Sequence, residues 1–389
     1  MNRYIIIFFI SIIHLFLNES LFANGQTTIY RALNKLDAIK MKDSLLNNYK
    51  SYVLKNRFKE MDRKIVFLDD KEMKFELQFF GEKPKNGWSL YFSLHGGGGV
   101  EAFYNEKQWN RHKKLYQLEQ GILLTPRSPT NTWNMWHQKH IDIFFNRLIQ
   151  NMIAFHGVNP NKIFLMGYSA GGDGVYQLAP RMADRFAAAA MMAGHPNETV
   201  PLGLRNIGFT IHMGENDSAY NRNGVAIEWK TKLKQLRNKD PNGYEHLVQI
   251  HKNKGHWMGG LDTSGISWMA NFIRNPHPKK IVWKQDDVTH NRFYWLKVIN
   301  PSERSLIIAT IEDQTITIEN TTVPEFIIML NDDLIDMDKN VIVNYMGNTI
   351  YDGIVSRYGK IISDSIKEYG DPESVFYGQI DIILNISKM

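Results

Sequence analysis

The sequence predicts an α/β protein in which a mostly parallel sheet, covered by helices on both faces, is followed by a small β-sandwich-like C-terminal domain. Between residues 63 and 275, short apolar runs alternate with helix-length segments, a pattern typical of parallel sheets. This alternation stops at Asn275-Pro276-His277-Pro278. Short segments rich in Val, Ile, Thr and aromatic residues then follow one another between turn residues, as they do in β-sandwiches.

The apolar patterns predict individual elements in both parts. In the first part, the predicted strands are 65–68, 73–80, 89–94, 121–125, 162–167, 186–192, 209–213 and 247–251, and the predicted helices are 138–154, 170–182, 225–236 and 264–274. The first two strands look antiparallel, which indicates a mixed sheet edge. In the second part, the predicted strands are 281–283, 293–298, 306–311, 315–319, 326–330, 341–345 and 376–384, with a helix near 358–369.

The N-terminal residues predict export. A basic start at Arg3, an apolar run over residues 4–17 and a small residue at Ala23 are typical of a secretory signal peptide at 1–23, with an uncleaved anchor as the alternative. After cleavage no apolar stretch is long enough to span a membrane. The chain has no cysteine, which excludes disulfides and a lipidated cysteine. We therefore expect a periplasmic or secreted bacterial protein.

The remaining boundaries follow from the same patterns. A helix-like stretch without Pro or Gly, roughly 29–59, predicts an N-terminal helical segment at 24–62 that packs on the domain after it. That domain is expected at 63–275, and the β-rich domain at 276–389. With 389 residues and 43% hydrophobic residues the chain can bury a full core. The net charge of +6 is spread along the chain without a nucleic-acid-binding motif, so no nucleic-acid partner is expected.

The stretch Gly167-Tyr168-Ser169-Ala170-Gly171 lies where a predicted strand meets a predicted helix. It fits the Gly-x-Ser-x-Gly nucleophile elbow, in which glycines allow a strained turn to present a serine hydroxyl. A second glycine-rich stretch, His95-Gly96-Gly97-Gly98-Gly99, follows the predicted strand 89–94. Because glycines let the backbone approach a reacting carbonyl closely, we expect an oxyanion hole built from the N–H groups of Ala170 and of Gly97 or Gly98.

A serine nucleophile of this type requires an acid and a histidine, in that chain order, on later loops. Asp217 follows the predicted strand 209–213 and is the preferred acid, with Glu215 as the alternative. His256 follows the strand 247–251, whereas its rival His251 lies within that strand. Such a triad needs no cofactor or metal.

The order of these motifs, ending in Gly255-His256-Trp257, resembles the α/β-hydrolase superfamily. Within it the chain is similar to secreted esterases and polyhydroxybutyrate-depolymerase-like serine hydrolases with a β-rich C-terminal domain. The resemblance covers residues 63–274 and implies cleavage of carboxylic esters through an acyl-enzyme, including polyester oligomers and acyl groups on polysaccharides. The depolymerase glycine loop has a cysteine after its His-Gly, whereas this chain has glycine there.

The residues beside these motifs are candidates for substrate binding. Tyr168 and Trp257 adjoin the candidate nucleophile and base and are expected to form walls. Trp133 and Trp136 could stack on a sugar or an aromatic acyl group, or could simply pack their loop. Arg222 follows the acid and could recognise a carboxylate.

Two other functions remain open on the sequence. The same triad serves exopeptidase-like serine peptidases, and a catalytically silent binding protein could retain the fold. His137 and His140 lie three residues apart, but no carboxylate motif accompanies them, so structural or substrate-lining roles are favoured over metal binding.

Overall fold

A computed structural model describes residues 30–384 of the chain. The predicted signal peptide at 1–23 therefore lies outside the described residues. Across residues 30–384, no helix combines the length and the apolar character that crossing a membrane requires.

The described chain begins with strand β1 (Ala32–Leu33) and helices α1 (Lys35–Asn56) and α2 (Phe58–Arg63). Helix α1 begins after Asn34, whose Oδ1 accepts a hydrogen bond from the N–H of Asp37 at 2.9 Å, an N-cap of the common type. The single helix predicted near 29–59 is thus two helices separated at Arg57.

Eight strands form the central sheet. They are β2 (Ile65–Leu68), β3 (Lys71–Phe80), β4 (Trp88–Leu94), β5 (Gly121–Pro126), β6 (Val158–Tyr168), β7 (Ala188–Met192), β8 (Gly208–Gly214) and β9 (His246–His251). Their spatial order is β2-β3-β5-β4-β6-β7-β8-β9. The β2/β3 and β3/β5 pairs are antiparallel and all later pairs are parallel. The predicted mixed edge and mostly parallel sheet are therefore confirmed.

Helices cover this sheet. They are α3 (Ala102–His112), α4 (Lys139–His156), α5 (Ala170–Arg181), α6 (Arg222–Lys239) and α7 (Ser264–Met269). Strands β5, β7 and β8 are buried at every position, as expected for strands that are covered on both faces. Helix α7 ends five residues before the predicted end at Arg274. The Asn271 side chain donates to the carbonyls of Ser267 and Trp268 and so satisfies the last turn.

The C-terminal part holds two further sheets. Its elements are β10 (Lys280–Lys284), β11 (Arg292–Phe293), β12 (Leu296–Lys297), β13 (Leu306–Glu312), β14 (Thr315–Thr321), β15 (Glu325–Leu330), β16 (Val341–Tyr345), β17 (Asn348–Gly353), β18 (Arg357–Tyr358), α8 (Gly359–Tyr369) and β19 (Gly378–Ile383). One sheet has the order β10-β13-β14-β16-β17 and the other β11-β12-β15-β19. Trp283 of the first stacks on Phe293 of the second, with ring centroids 5.9 Å apart.

The strand predicted over residues 293–298 is wrong in one respect. The chain folds back within it, so that β11 and β12 form an antiparallel hairpin. Tyr294 adopts a positive φ of 54° in the turn, a conformation typical of tight hairpin connections.

The N-terminal segment joins the two larger parts. Strand β1 pairs antiparallel with β18 of the C-terminal part, and α1 packs against both α4 and α8. We expected this segment to pack on the domain that follows it, and made no prediction about the C-terminal part. Its apolar side contacts both parts, and buried residues from the central sheet through the C-terminal sheets belong to one continuous hydrophobic core.

Candidate active site

The parallel strands bring four loops to one edge of the central sheet. The glycine-rich stretch follows β4, Ser169 follows β6, Asp217 lies in the loop after β8, and His256 lies in the loop after β9. Because β4, β6, β8 and β9 run in the same direction, their carboxyl ends share this edge. Residues separated by more than 150 positions in the chain thus become neighbours.

Ser169 forms the sharp turn between β6 and α5. Its φ of 58° and ψ of −123° are sparsely populated for a residue with a side chain, so the turn is strained. The close packing behind it requires glycine at position 171, where a Cβ would lie 2.1 Å from the Leu94 carbonyl oxygen. The strained turn holds the serine hydroxyl at the end of the strand and above the first turn of α5, as the Gly-x-Ser-x-Gly pattern predicts.

The structure brings Ser169, His256 and Asp217 into one hydrogen-bonded chain. His256 Nδ1 lies 2.8 Å from Asp217 Oδ2, and His256 Nε2 lies 3.0 Å from Ser169 Oγ. An ionised carboxylate can only accept, so Nδ1 carries the proton that is donated to Asp217. Nε2 is then free to accept the hydroxyl proton of Ser169. This arrangement is the one that activates a serine as a nucleophile.

Asp217 is the carboxylate that faces the histidine. It is 2% exposed, and Arg222 Nη1 lies 3.8 Å from its second oxygen. Glu215, the alternative acid, instead accepts a hydrogen bond from the N–H of Asn253 at 2.9 Å. The guanidinium of Arg222 also lies over the Tyr220 ring. Arg222 thus contacts the acid and an aromatic ring and does not line the cleft described below, so the expectation that it recognises a substrate carboxylate is not supported.

Tyr168 holds the loop that carries the histidine. Its hydroxyl donates to the carbonyl oxygen of His256 at 2.6 Å and accepts from the N–H of Met258 at 3.0 Å. Burial raises the pKa of the Tyr168 phenol, which therefore stays protonated and able to donate. Trp257 lies against it, with ring centroids 5.6 Å apart, and is 57% exposed. Both residues line the cleft described below.

His95 fixes the course of the glycine-rich stretch. Its Nε2 accepts the N–H of Ser128 at 3.2 Å, so its Nδ1 carries the proton that is donated to the Gly96 carbonyl at 2.7 Å. Burial lowers the pKa of His95 to about 3, and the ring is therefore neutral at ordinary pH. In a trans peptide the carbonyl and the following N–H point in opposite directions. The N–H of Gly97 thus points away from His95.

The two candidate glycine donors differ. Gly97 has a φ of 111°, and a Cβ there would lie 2.1 Å from Asn105 Oδ1, so only glycine fits. No hydrogen bond of its N–H is found to any of residues 30–384. Gly98 donates its N–H to Asn105 Oδ1 at 2.8 Å. That donor is already occupied, which corrects the expectation that Gly98 could serve the oxyanion hole.

A carboxyl group on the first turn of α5 forms a hydrogen bond with the loop after β7. Asp173 accepts the N–H of His195 at 2.6 Å, from the loop after β7. Burial raises the pKa of Asp173 to about 6, although this hydrogen bond and the charges of Arg222 and His256 act in the opposite direction.

A cleft of about 380 Å³ opens beside the candidate nucleophile. Its lining residues are Gly96, Gly97, Gln108, Arg111, His112, Leu115, Tyr168, Ser169, His256 and Trp257. Four of them, from Gln108 to Leu115, belong to α3 and the turn after it, which the sequence analysis did not predict. One signal could have indicated this helix: parallel neighbours such as β4 and β5 need a crossover connection, usually a helix.

The two tryptophans expected to bind substrate lie elsewhere. Trp136 is fully buried, and its Nε1–H donates to the His95 carbonyl at 2.9 Å. It therefore supports the glycine-rich stretch, and the expectation that it contacts substrate is wrong. Trp133 is 62% exposed and lies edge-on to His137, outside the lining of the cleft.

One group of carboxylates in the described chain is close enough to hold a cation: Glu198, Asp286 and Asp287. Asp286 is already matched by protein partners, because it accepts from the Thr199 hydroxyl at 2.6 Å and pairs with Arg304. Each of the other two carboxylates also accepts a hydrogen bond from the protein. His137 and His140 belong to no group of this kind among residues 30–384.

Comparisons with known proteins return structural likenesses at low identity. No family model matches the chain, and no curated protein sequence matches it. A thermostable esterase is 17% identical, with a TM-score of 0.41, over 54% of this chain and 63% of that one. A ferulic acid esterase is 14% identical, with a TM-score of 0.39, over 53% of this chain and 96% of that one. A poly(3-hydroxybutyrate) depolymerase from Bordetella parapertussis is 14% identical, with a TM-score of 0.39, over 53% of this chain and 86% of that one.

The fold follows from the molecule's own topology. Its sheet has an antiparallel edge and parallel later strands, and a Gly-x-Ser-x-Gly elbow joins β6 to α5. The loops after β8 and β9 carry the acid and the histidine in the chain order of that fold. By this topology, the part of the chain from β2 to α7 is an α/β-hydrolase fold, and two β-sheets follow it.

Proposed function

We propose that the protein is a serine hydrolase that cleaves carboxylic esters through an acyl-enzyme intermediate. The observation that carries this proposal is the hydrogen-bonded chain in which Ser169 Oγ lies 3.0 Å from His256 Nε2 while Nδ1 of the same ring lies 2.8 Å from Asp217. A strained serine, a neutral acceptor nitrogen and a buried carboxylate are the three parts that general-base activation of a hydroxyl requires.

In the first half-reaction, Ser169 Oγ attacks the ester carbonyl carbon and its proton passes to His256 Nε2. The new C–O bond produces a tetrahedral intermediate with a negatively charged oxygen. We assign the oxyanion hole to the N–H groups of Gly97 and Ala170, since Gly98 already donates to Asn105. Ala170 is the first residue of α5, where backbone N–H groups lack partners within the helix and the helix dipole favours negative charge.

Collapse of the intermediate breaks the bond to the alcohol oxygen, which takes the proton back from the imidazolium of His256. In the second half-reaction, a water molecule attacks the acyl-enzyme while His256 accepts one of its protons. The carboxylic acid leaves, and the proton returns to Ser169 Oγ. Asp217 keeps the imidazole in the required tautomer and stabilises its charged form in both halves. No step requires a cofactor.

The composition of the cleft supports an ester substrate over a free N-terminal peptide. An aminopeptidase must bind a positively charged amine, for which a carboxylate is the usual partner. The residues that line the cleft include no Asp or Glu. We accordingly favour small-molecule or oligomeric esters over an exopeptidase of the aminopeptidase type.

Replacement of the nucleophile tests this proposal. We expect the purified protein to hydrolyse 4-nitrophenyl acetate and butyrate, and Ser169→Ala to lower kcat about 10⁴- to 10⁶-fold because the attacking oxygen is gone. A fluorophosphonate probe should label the wild type and not the variant. Ser218→Ala, which changes an exposed serine in the loop of Asp217, is the matched control and should retain activity and labelling.

Other outcomes would reject the assignment. Hydrolysis that survives in Ser169→Ala would exclude Ser169 as the nucleophile. Cleavage of aminoacyl 4-nitroanilides in preference to esters would favour the peptidase. Wild-type protein that neither reacts with the probe nor turns over any ester would be a binding protein.

We further propose that residues 63–275 act as the catalytic domain, that residues 276–389 form the β-rich domain, and that the protein is exported. The support for export is the apolar run at residues 4–17 and the small residue at Ala23. Mass spectrometry of protein from the periplasm and the medium would detect a mature chain that begins at Asn24. A chain that retains Met1 would support the anchored alternative.

A further inference from the structure

The cleft beside Ser169 carries a single permanently charged side chain. Arg111 is the one Asp, Glu, Lys or Arg among its lining residues. His112 also lines the cleft, but burial lowers its pKa to about 3, and its Nε2 is 2.8 Å from the Ser93 hydroxyl. The cleft therefore presents one guanidinium and no carboxylate to a bound molecule.

Arg111 differs from the other arginines near this edge. Arg127 pairs with Glu106 at 3.4 Å, and Arg222 lies 3.8 Å from Asp217. Arg111 is exposed, and within the described part of the chain no carboxylate pairs with it. An arginine presents five N–H donors in a planar fork that matches a carboxylate. No hydrogen bond or ion pair of the Arg111 guanidinium is found within residues 30–384, so its donors are available to a ligand.

The stability of helix α3 does not by itself account for an arginine at position 111. Arg111 lies four residues after Lys107 on α3, a spacing at which like charges repel. A cation in the last turn of a helix is favoured by the dipole, and the two effects are of similar size. Gln108 lies three residues before Arg111, on the same helix face, and also lines the cleft. Together they offer charged and neutral donors side by side.

We propose that Arg111, assisted by Gln108, binds a carboxylate carried by the ester substrate, so that the preferred substrates are esters with a free acid group. This inference rests on the proposed ester hydrolysis. Leu115, Tyr168 and Trp257 supply apolar and aromatic lining for the carbon chain that joins the ester to the acid. The carboxylate could belong to the acyl chain or to the alcohol, and matched substrates distinguish the two.

Two pairs of esters test the inference. For the acyl side, mono(4-nitrophenyl) glutarate is compared with 4-nitrophenyl pentanoate. For the alcohol side, 4-acetoxybenzoate is compared with its methyl ester. We expect Arg111→Gln to lower kcat/KM for the charged member of one pair about 10- to 100-fold, the range for losing a charge-assisted hydrogen bond, and to change its neutral partner less than about twofold. The pair that responds locates the carboxylate.

Lys114→Gln is the matched control, since it removes an exposed positive charge just after α3 from a residue that does not line the cleft. It should leave the ratio of charged to neutral substrate unchanged. Equal loss on both members of each pair, or no loss on either, in Arg111→Gln would overturn the inference while ester hydrolysis stands. Failure of the wild type to cleave any of the four esters, with no fluorophosphonate labelling, would instead overturn the proposed function and this inference with it.

Discussion

Helix α5 carries a charged cluster at each end, and the two clusters differ in exposure and in how their charges are matched. At its N-terminal end, His256 joins Ser169 to Asp217, and the His256 side chain is 44% exposed. Beyond its C-terminal end, Asp371 lies between Arg185 and Arg274, and all three side chains are at most 2% exposed. Both clusters contain a buried carboxylate with basic partners.

The hydrogen bonds around Asp371 tie the α/β-hydrolase part to the C-terminal sheets. Arg185 Nη1 and Arg274 Nη2 contact the same carboxylate oxygen at 3.2 and 2.8 Å. The N–H of Glu373 donates to the other oxygen at 2.9 Å. Burial by itself would raise the pKa of Asp371, but the charges of Arg274 and Arg185 outweigh it and lower that pKa. The carboxylate therefore stays ionised inside the protein.

The difference between the two clusters indicates different roles. The cluster of Ser169, His256 and Asp217 is the outer cluster. It has an open face, a strained backbone at Ser169 and a nitrogen with an available lone pair, and these features suit a reaction that moves a proton. The inner cluster, Asp371 with Arg185 and Arg274, has no open face, and both guanidinium groups pair with its single carboxylate. We expect changes in the first to alter activity with little change in stability, and changes in the second to do the reverse.

After replacement of the nucleophile itself, the largest effect should come from Asp217→Asn. An asparagine amide can donate to His256 Nδ1, which would place the imidazole proton on Nε2 and prevent it from accepting the Ser169 proton. We expect kcat for 4-nitrophenyl butyrate to fall about 10⁴-fold. Urea unfolding should show a smaller loss of stability than Asp371→Asn causes.

Glu215→Gln is the control for the acid, since it alters a carboxylate in the same loop that bonds a backbone N–H instead of the histidine. Activity within a fewfold of wild type is expected. If Glu215→Gln lost as much activity as Asp217→Asn, the assignment of Asp217 as the acid would be wrong.

The second effect should come from Asp371→Asn. Removing its charge leaves Arg185 and Arg274 buried without a counter-ion, and loss of one partner from a buried ion pair costs about 3–5 kcal/mol. We expect the free energy of unfolding to fall by that amount, measured by urea denaturation at pH 7. The folded fraction should keep the wild-type kcat, because Asp371 lies beyond the opposite end of α5 from Ser169.

Asp364→Asn provides the matched control in the same part of the chain. Asp364 pairs with Lys360 on the exposed face of α8, where both side chains are 45% exposed. Such pairs contribute about 0.3–0.5 kcal/mol. A destabilisation by Asp371→Asn as small as that of Asp364→Asn would contradict the role of the buried cluster.

The sequence predicted the outer cluster much better than the inner one. Ser169, Asp217 and His256 are recognisable because a local pattern marks the elbow and because parallel strands bring their following loops to one edge. The inner cluster depends on contacts between Arg185, Arg274 and Asp371, which no local pattern relates. The same reason explains why the pairing of β1 with β18 was not predicted.

Within the site, the incorrect predictions concern residues whose surroundings depend on how distant parts of the chain pack together. Trp133 and Trp136 differ by three positions and look equivalent in sequence, yet packing buries one completely and exposes the other. Gly97 and Gly98 are identical in type, and only the position of Asn105 decides which N–H is occupied. Arg111 was missed because its helix α3 was not predicted.

The smallest expected effect concerns pH and sharpens the contrast between the two regions. His277 lies where the chain enters the C-terminal sheets, and its Nε2 contacts Asn331 Nδ2 at 2.9 Å. Burial, opposed by Asp333 and reinforced by Arg274, lowers the pKa of His277 to about 4. Because the pKa of this histidine is lower in the folded chain, the unfolded chain binds a proton on it at a higher pH than the folded chain does. Stability from this group is therefore complete above about pH 6.5 and is lost as pH falls from there toward 4.

His277→Gln measures this contribution, because glutamine does not titrate in this range and can still accept from Asn331. Between pH 7 and pH 5, urea denaturation should show that the wild type loses about 2 kcal/mol more stability than the variant does. Ester hydrolysis at pH 7 should be unchanged, since His277 contacts none of the groups that line the cleft. Equal pH dependence in both proteins would mean that the pKa of His277 is the same in the folded and the unfolded chain, and would contradict the lowered pKa. A lowered kcat in His277→Gln would show that this region and the catalytic edge are coupled.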